Sequence, residues 1–341
     1  MKKNTEISIE RGSGLLQRAI EENPTDLSHT PSKLACDFLS RNEQGSMRVF
    51  VAGGSRSGNE ALYVNEAFKL GEVIGHMNYR LDFGLSSKGI MGAVAKGLIK
   101  SWSDMGKKQK SPIYGITTKE YLALYESDDV LDEVSKIVVA NTLEERKQQL
   151  LAADLVIFAP GGVGTLDELV YDCVAMQDGF LDYKPFVLYN VNGFFHHLLE
   201  YLKEINLKGF SDPMPFVVVD NHIEAGIAFR VLEYMFNRHT NKQDGIHQMQ
   251  QIIYELPYVI EQHYQNPNKK VKTILAEKEA ILKGKSKSAK ETLARDIENA
   301  YLRKEIERMY ERLAKAGRDT AVVSDKLCEL KNRHVKPPYK G

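Results

Sequence analysis

The sequence predicts an α/β fold: a Rossmann-like, doubly wound parallel sheet of about seven strands, flanked by a helical N-terminal arm and a helical C-terminal extension. Three observations lead there. From Arg48 onward short apolar runs alternate with helical patterns of roughly 10 to 20 residues, the signature of successive βα units. Glycine-rich stretches fall where those runs hand over to helices. Beyond Asn237 the strand signals stop while helical periodicity continues.

Taken in order, residues 1–45 carry short apolar clusters, Leu15-Leu16 and residues 34–39, separated by Asn23-Pro24-Thr25-Asp26 and Thr30-Pro31-Ser32. They read as one or two short helices joined by turns, a packing arm. Residues 46–238 form the α/β domain, with strands expected at Val49–Ala52, Arg80–Phe83, Ile113–Ile116, Lys136–Ala140, Leu155–Ala159, Phe186–Asn190 and Phe216–Val219. Helical spacing marks the covering helices: Leu62, Ala67, Leu70, Val73, Ile74 and Met77 after the first strand; Leu166, Leu169, Val170, Cys173 and Met176 after the fifth. Right-handed crossovers start both helices at the carboxyl edge of the sheet, where open α/β folds place ligands. Residues 239–341 form the extension, helical from about Gly245. In its breaker-poor stretch from Ser288 to Ala316, Leu302, Ile306, Met309 and Leu313 make an apolar seam. The seam stops short of Arg295 and Asn299, so it predicts a helix packed on the α/β domain or on a second copy of the chain, not a long coiled coil. Residues 283–290, rich in lysine, are expected to be a solvated loop, and His334 to Gly341 a frayed tail.

Composition bounds the function classes. At 341 residues, 43% hydrophobic and 27% charged, the chain has the make-up of an ordinary globular protein. No stretch approaches the roughly 18 apolar residues of a membrane span, and Met1-Lys2-Lys3-Asn4-Thr5-Glu6 leads into charge. A cytoplasmic protein without a membrane partner is expected. Cys36, Cys173 and Cys328 are odd in number and far apart, which argues against a disulfide framework or a cysteine metal site. His196-His197 lacks a matching carboxylate or cysteine spacing, so no metal is expected. The net charge of zero conceals a split: residues 239–341 hold 21 Lys/Arg against 14 Asp/Glu, leaving 25 against 32 for the rest. That marks a separate C-terminal unit and is too weak to imply a nucleic-acid partner.

The strongest chemical signal is Leu155-Val-Ile-Phe-Ala-Pro160-Gly161-Gly162-Val163-Gly164-Thr165-Leu166-Asp167-Glu168. A buried strand enters a turn with three glycines, where missing Cβ atoms let backbone N–H groups approach an anion, then a helix N-terminus with positive partial charge. Thr165 is placed to cap that helix or to donate its hydroxyl to a phosphate oxygen. No Lys-Ser/Thr follows the glycines, so this is not a Walker loop. Taken alone, the turn is either a phosphate cradle or a structural bend. Glu168, expected in the first helical turn, is either a helix-dipole partner or a working carboxylate. Asn141-Thr-Leu-Glu-Glu-Arg146-Lys147 follows the fourth strand at the same sheet edge, and its two cations suit phosphate, ribose or Glu168. Two more loops share that edge: Gly53-Gly54-Ser55-Arg56-Ser57-Gly58-Asn59, and Asp82 to Gly92.

These residues resemble the LONELY GUY (LOG) family, long labelled "possible lysine decarboxylase", whose hallmark is P-G-G-x-G-T-x-x-E preceded by M-x-x-R-K. The first motif is complete as Pro160 to Glu168; the second appears as Leu143-Glu-Glu-Arg146-Lys147, with Leu for Met. The likeness extends through Ser57-Gly58-Asn59 with Tyr63, Gly89-Ile-Met-Gly92, Gln177-Asp-Gly179 and Asn190-Val-Asn-Gly193-Phe194-Phe195, covering roughly residues 47 to 235. The resemblance implies hydrolysis of the N-glycosidic bond of a nucleoside 5′-monophosphate, purine and AMP-like, to free base and ribose 5-phosphate. Arg146 and Glu168 would be the catalytic pair, with Arg146 fixing the substrate and holding Glu168 ionised. Gly161, Gly162, Gly164, Thr165, Lys147, Gly54, Ser55 and Gly58 would hold phosphate and ribose. No cofactor is implied, and a homodimer or higher homo-oligomer is, since family sites are completed across a two-fold interface. The alternative is a nucleotide-binding sensor of the same fold that does not hydrolyse its ligand. One departure stands out: where the family often has three glycines after the second strand, this chain reads Gly84-Leu85-Ser86, which implies a narrower or reshaped pocket.

Overall fold

The computed structural model describes residues 47–122, 129–181, 184–212, 214, 216–236, 245–284 and 286–315. The expected N-terminal arm and C-terminal tail lie outside these residues. Two compact units divide the chain, Met1–Gly226 and Ile227–Gly341.

In the first unit the strands are β1 (Arg48–Ala52), β2 (Arg80–Phe83), β3 (Ile113–Thr118), β4 (Lys136–Ala140), β5 (Leu155–Phe158), β6 (Phe186–Tyr189) and β7 (Phe216–Val219). All seven expected strands are present. Between them run α1 (Ala61–His76), α2 (Gly89–Asp104), the short α3 (Lys119–Leu122) and α4 (Asp129–Asp132), α5 (Leu143–Leu151), α6 (Val163–Gln177), a 3₁₀ turn (Val191–Gly193), α7 (His196–Leu207) and α8 (His222–Phe236), which begins in this unit. The sheet is wholly parallel, in the order β4-β3-β2-β1-β5-β6-β7.

That order fixes where a ligand can sit. The chain builds outward from β1 to β4, then returns across the sheet to lay β5 on the free side of β1, pairing Val49 with Leu155 and Ala52 with Phe158. The loops leaving β1 and β5 therefore diverge and open a crevice at their carboxyl ends. Both strands are buried along their whole length, as their near-continuous apolar runs require of a sheet covered on two faces.

Phe50, Phe158, Leu169, Cys173, Phe186 and Leu188 share one core cluster, and the Phe158 and Phe186 rings meet edge to face at 5.3 Å. Each such side chain contributes about 1.5–3 kcal/mol by leaving water, enough to hold the turn after β5 on a rigid base. The stripe expected on α6 divides. Leu169, Cys173 and Met176 are buried, whereas Leu166 and Val170 face outward, together with Val163 and Val174.

In the second unit α9 (Gly245–Gln265), α10 (Val271–Lys283) and α11 (Lys287–Lys315) pack through Leu256, Val259, Ile260, Ile274, Leu275, Leu293 and Ile297. Polar pairs pin the same helices, Lys278 with Glu255 and Arg303 Nε with Glu261 at 2.8 Å, and Tyr234 at the end of α8 donates to Glu279 of α10 at 3.0 Å. The buried stripe of α11 is Leu293, Ile297, Ala300 and Arg303, one helical face away from the expected seam, of which Leu302 and Met309 are exposed. Arg303 occupies a core position because Glu261 neutralises it. The lysine-rich loop is also shorter than expected, since α10 runs to Lys283 and α11 starts at Lys287. Among the described residues no helix is long and apolar enough to cross a membrane.

Candidate active site

A cavity of about 870 Å³ lies at the carboxyl edge of the sheet, over the ends of β1 and β5. Its floor is the turn from Pro160 to Thr165. Pairing continues past the strands, with Ala159 N–H donating to Ala52 O at 2.8 Å and Gly54 N–H to Pro160 O at 3.0 Å. The two glycine loops are thereby tied back to back. Gly161 is required sterically: a Cβ there would collide with the Thr165 hydroxyl and stand 2.9 Å from the Gly54 nitrogen. Gly162 and Gly164 face open space. Gly162 caps α6 without a side-chain bond, so the first amides of the helix open into the cavity. Thr165 does not serve as the cap; it lies three positions inside, buried, and lines the floor.

Arg146 is aimed by its own helix start. Thr142 caps α5 by accepting from Glu145 N–H at 3.1 Å, and Glu145 reaches back to accept from the Asn141 amide at 2.9 Å. Arg146 then donates from Nε to Ile116 O at 3.1 Å and from Nη2 to Gly84 O at 3.2 Å, with its guanidinium 5.5 Å from the Tyr121 ring centre. Two carbonyls at the ends of β3 and β2 thus fix the cation at the cavity wall.

Glu168 enters the cavity from the second turn of α6, one turn deeper than expected, because the helix begins at Val163. Burial pushes its carboxyl up to about 7, with Arg146 and Lys147 pulling the other way and Asp167 adding to the rise. Arg146 therefore does not hold Glu168 fully ionised at neutral pH; desolvation outweighs it.

Of the ten predicted site residues, the structure brings nine to the cavity: Arg146, Glu168, Gly161, Gly162, Gly164, Thr165, Gly54, Ser55 and Gly58. Lys147 is not among them. One residue on from Arg146 it projects about 100° further round the helix, where its ammonium stands 2.9 Å from Asp167 and 4.7 Å from the centre of the Tyr171 ring. Leu85 does not narrow the pocket either. It adopts φ +62°, the left-handed conformation that glycine ordinarily supplies, and is fully buried against Gly115, leaving Gly84 and Ser86 on the cavity wall.

Arg56 and Tyr121 also line the cavity, and neither was assigned a role from sequence. Tyr63 and Phe194 complete the wall on the β6 side, ring centres 5.8 Å apart, where Glu60 accepts from Asn192 at 2.8 Å and joins the two loops. Outside the cavity Glu200 supplies the carboxylate that the sequence pattern did not reveal beside His196 and His197. Ligand atoms of the three lie within 4.8 Å of one another on an open helical surface.

A family model described as "possible lysine decarboxylase" matches residues 91–225. Cytokinin riboside 5′-monophosphate phosphoribohydrolase LOG1 of Arabidopsis thaliana is 28% identical over 192 residues, 56% of this chain and 85% of that protein. Cytokinin riboside 5′-monophosphate phosphoribohydrolase LOG3 of the same plant is 30% identical over 166 residues, 49% of this chain and 72% of that protein. Among solved structures, the molybdenum cofactor carrier protein from Chlamydomonas reinhardtii aligns with a TM-score of 0.40 at 17% identity, over 55% of this chain and 99% of that one.

Proposed function

Because the chain belongs to the LONELY GUY (LOG) family, we infer that it cleaves the N-glycosidic bond of a nucleoside 5′-monophosphate, releasing free base and ribose 5-phosphate. The observation that carries this is the convergence of Arg146, Glu168 and the open N-terminus of α6 on one cavity. The phosphate meets the amides of residues 162–165 and the positive end of the helix. Arg146, braced on Ile116 and Gly84, positions the ribose. As the bond from C1′ to the base nitrogen breaks, its electron pair leaves with the base and positive charge spreads over C1′ and the ring oxygen. The Glu168 carboxylate stabilises that charge from a partly desolvated position, where the attraction is stronger than in water. Water then adds to C1′ and gives up a proton, which replaces the broken bond on the departing base, so that free base and ribose 5-phosphate result.

We assign the substrate to the purine series, AMP-like; a cavity of about 870 Å³ is ample for a whole purine nucleotide. The outward apolar strip of α6, Val163, Leu166, Val170 and Val174, supports a homodimer: exposed apolar side chains aligned along one helix call for cover. Incubating the protein with AMP, GMP, IMP, CMP and UMP, and separating free base and ribose 5-phosphate by chromatography, tests the activity. Tight binding without base release from any of them would make the chain a nucleotide sensor instead.

A further inference from the structure

We propose that Arg56 closes over the substrate's 5′-phosphate, gripping it against the open N-terminus of α6, and so supplies much of the affinity for the nucleotide. The inference rests on the nucleotide reading of the cavity and adds a residue that reading does not contain.

Two arginines line the cavity, Arg56 and Arg146. Arg146 is committed, its Nε and Nη2 bonded to Ile116 O and Gly84 O. Arg56 makes no ion pair or side-chain hydrogen bond to any described residue, and its side chain is exposed. An arginine whose charge has no partner inside a cavity is available for a ligand, and its planar fork matches a phosphate in two parallel bonds.

The backbone beneath it is fixed in relation to the phosphate turn. Gly54 N–H bonds Pro160 O at 3.0 Å, and Gly54 O accepts from Ile90 N–H at 2.8 Å. A Cβ on Gly54 would stand 3.4 Å from the Gly161 Cα, so the two loops are in contact. From the other side Gly89, at φ +63°, presses so closely that a Cβ there would come within 2.6 Å of the Arg56 nitrogen. Arg56 is therefore rooted in a rigid seat beside the cradle while its side chain remains free to swing.

Charge balance requires such a group. A phosphate near −2 meets only about half a positive charge at a helix end, and Glu168 and Asp167 lie in the next turn of the same helix. Arg146 already faces Glu168. A second full cation on the phosphate side offsets the repulsion, and among the described residues no other lysine or arginine lines the cavity.

The test is titration calorimetry of ribose 5-phosphate and of ribose with the full-length protein, wild type, Arg56→Ala and Arg56→Lys, paired with NMP turnover. Arg56→Ala is expected to weaken ribose 5-phosphate binding by about 10- to 100-fold, the range for one charge-assisted contact, and to raise KM for the nucleotide by a like factor with kcat changed less. Binding of ribose stays as in wild type. Arg56→Lys, which keeps the charge but not the fork, falls between. Unchanged ribose 5-phosphate affinity in Arg56→Ala overturns the clamp while leaving the active site standing, as does an equal loss for ribose. A wild-type protein that neither binds ribose 5-phosphate nor releases base overturns the active-site reading and the clamp together.

Discussion

Replacing Glu168 with Gln should abolish base release and at the same time make the protein more stable, by an amount that grows with pH. The carboxyl rises from 4.5 to about 7 on folding. For an acid shifted upward, the native state retains a proton that the unfolded chain has released, so stability is fully present below about 4.5 and is lost as pH rises to about 7. A rise of about 2.5 units at about 1.4 kcal/mol each gives on the order of 3 kcal/mol. Halving it for the side chain's partial access to the cavity leaves about 1.5 kcal/mol above neutral pH. Gln keeps the shape and carries no charge, so it escapes this cost. Thermal unfolding of wild type and Glu168→Gln should coincide near pH 4.5 and separate by several degrees at pH 8, the variant melting higher. Wild-type kcat/KM should rise with pH through an inflection near 7, because the ionised form is the one that stabilises the sugar cation. Equal melting at both pH values, or a variant that still releases base, would refute the assignment of Glu168 as a desolvated working carboxylate.

The glycines of the cradle should separate by function. Gly161→Ala forces a Cβ into Thr165 and Gly54 and should cost about 2 kcal/mol or more together with most turnover, whereas Gly164→Ala, which meets nothing within 4 Å, should leave stability unchanged or raised by up to about 1 kcal/mol; thermal melts and the nucleotide assay read both. Arg146→Lys loses the fork that binds two carbonyls and should reduce kcat by about 100-fold, while Lys147→Ala, which frees Asp167 and Glu144 outside the cavity, should change kcat and KM by less than about threefold. Val170→Asp places a charge on the outward face of α6 and should convert a dimer to monomer in sedimentation velocity. An unchanged sedimentation coefficient would move the dimer interface elsewhere.

The sheet was legible in the sequence because a strand buried on both faces must be apolar throughout, and a parallel connection must be a helix; each constraint acts on contiguous residues. The same holds for the cradle. Gly161 and Thr165 are four residues apart, and their fit is written into one turn. Arg146 could have been placed more firmly, for Thr142 and Glu145 stand at capping-box spacing just before it, a local signal of where α5 begins. Lys147 shows the limit of adjacency: the sequence offers two neighbouring cations as equals, and the 100° step of the helix sends one to the cavity and the other to Asp167. The α11 seam fails for the related reason that an apolar spacing tells which residues can share a face, not which face the neighbouring helices cover. What the sequence by itself determined, then, is the strand order of appearance, the glycine turn after β5 and the placement of Arg146 and Glu168 at one sheet edge, all fixed by local pattern. The raised carboxyl of Glu168 beside Arg146, the burial of Leu85 against Gly115 and the tie of the Gly54 loop to the turn after β5 depend on residues about 20 to 110 positions apart in the chain. Only the folded sheet, which sets β1 beside β5 and buries Glu168 near their loops, decides distances and dielectric across that gap.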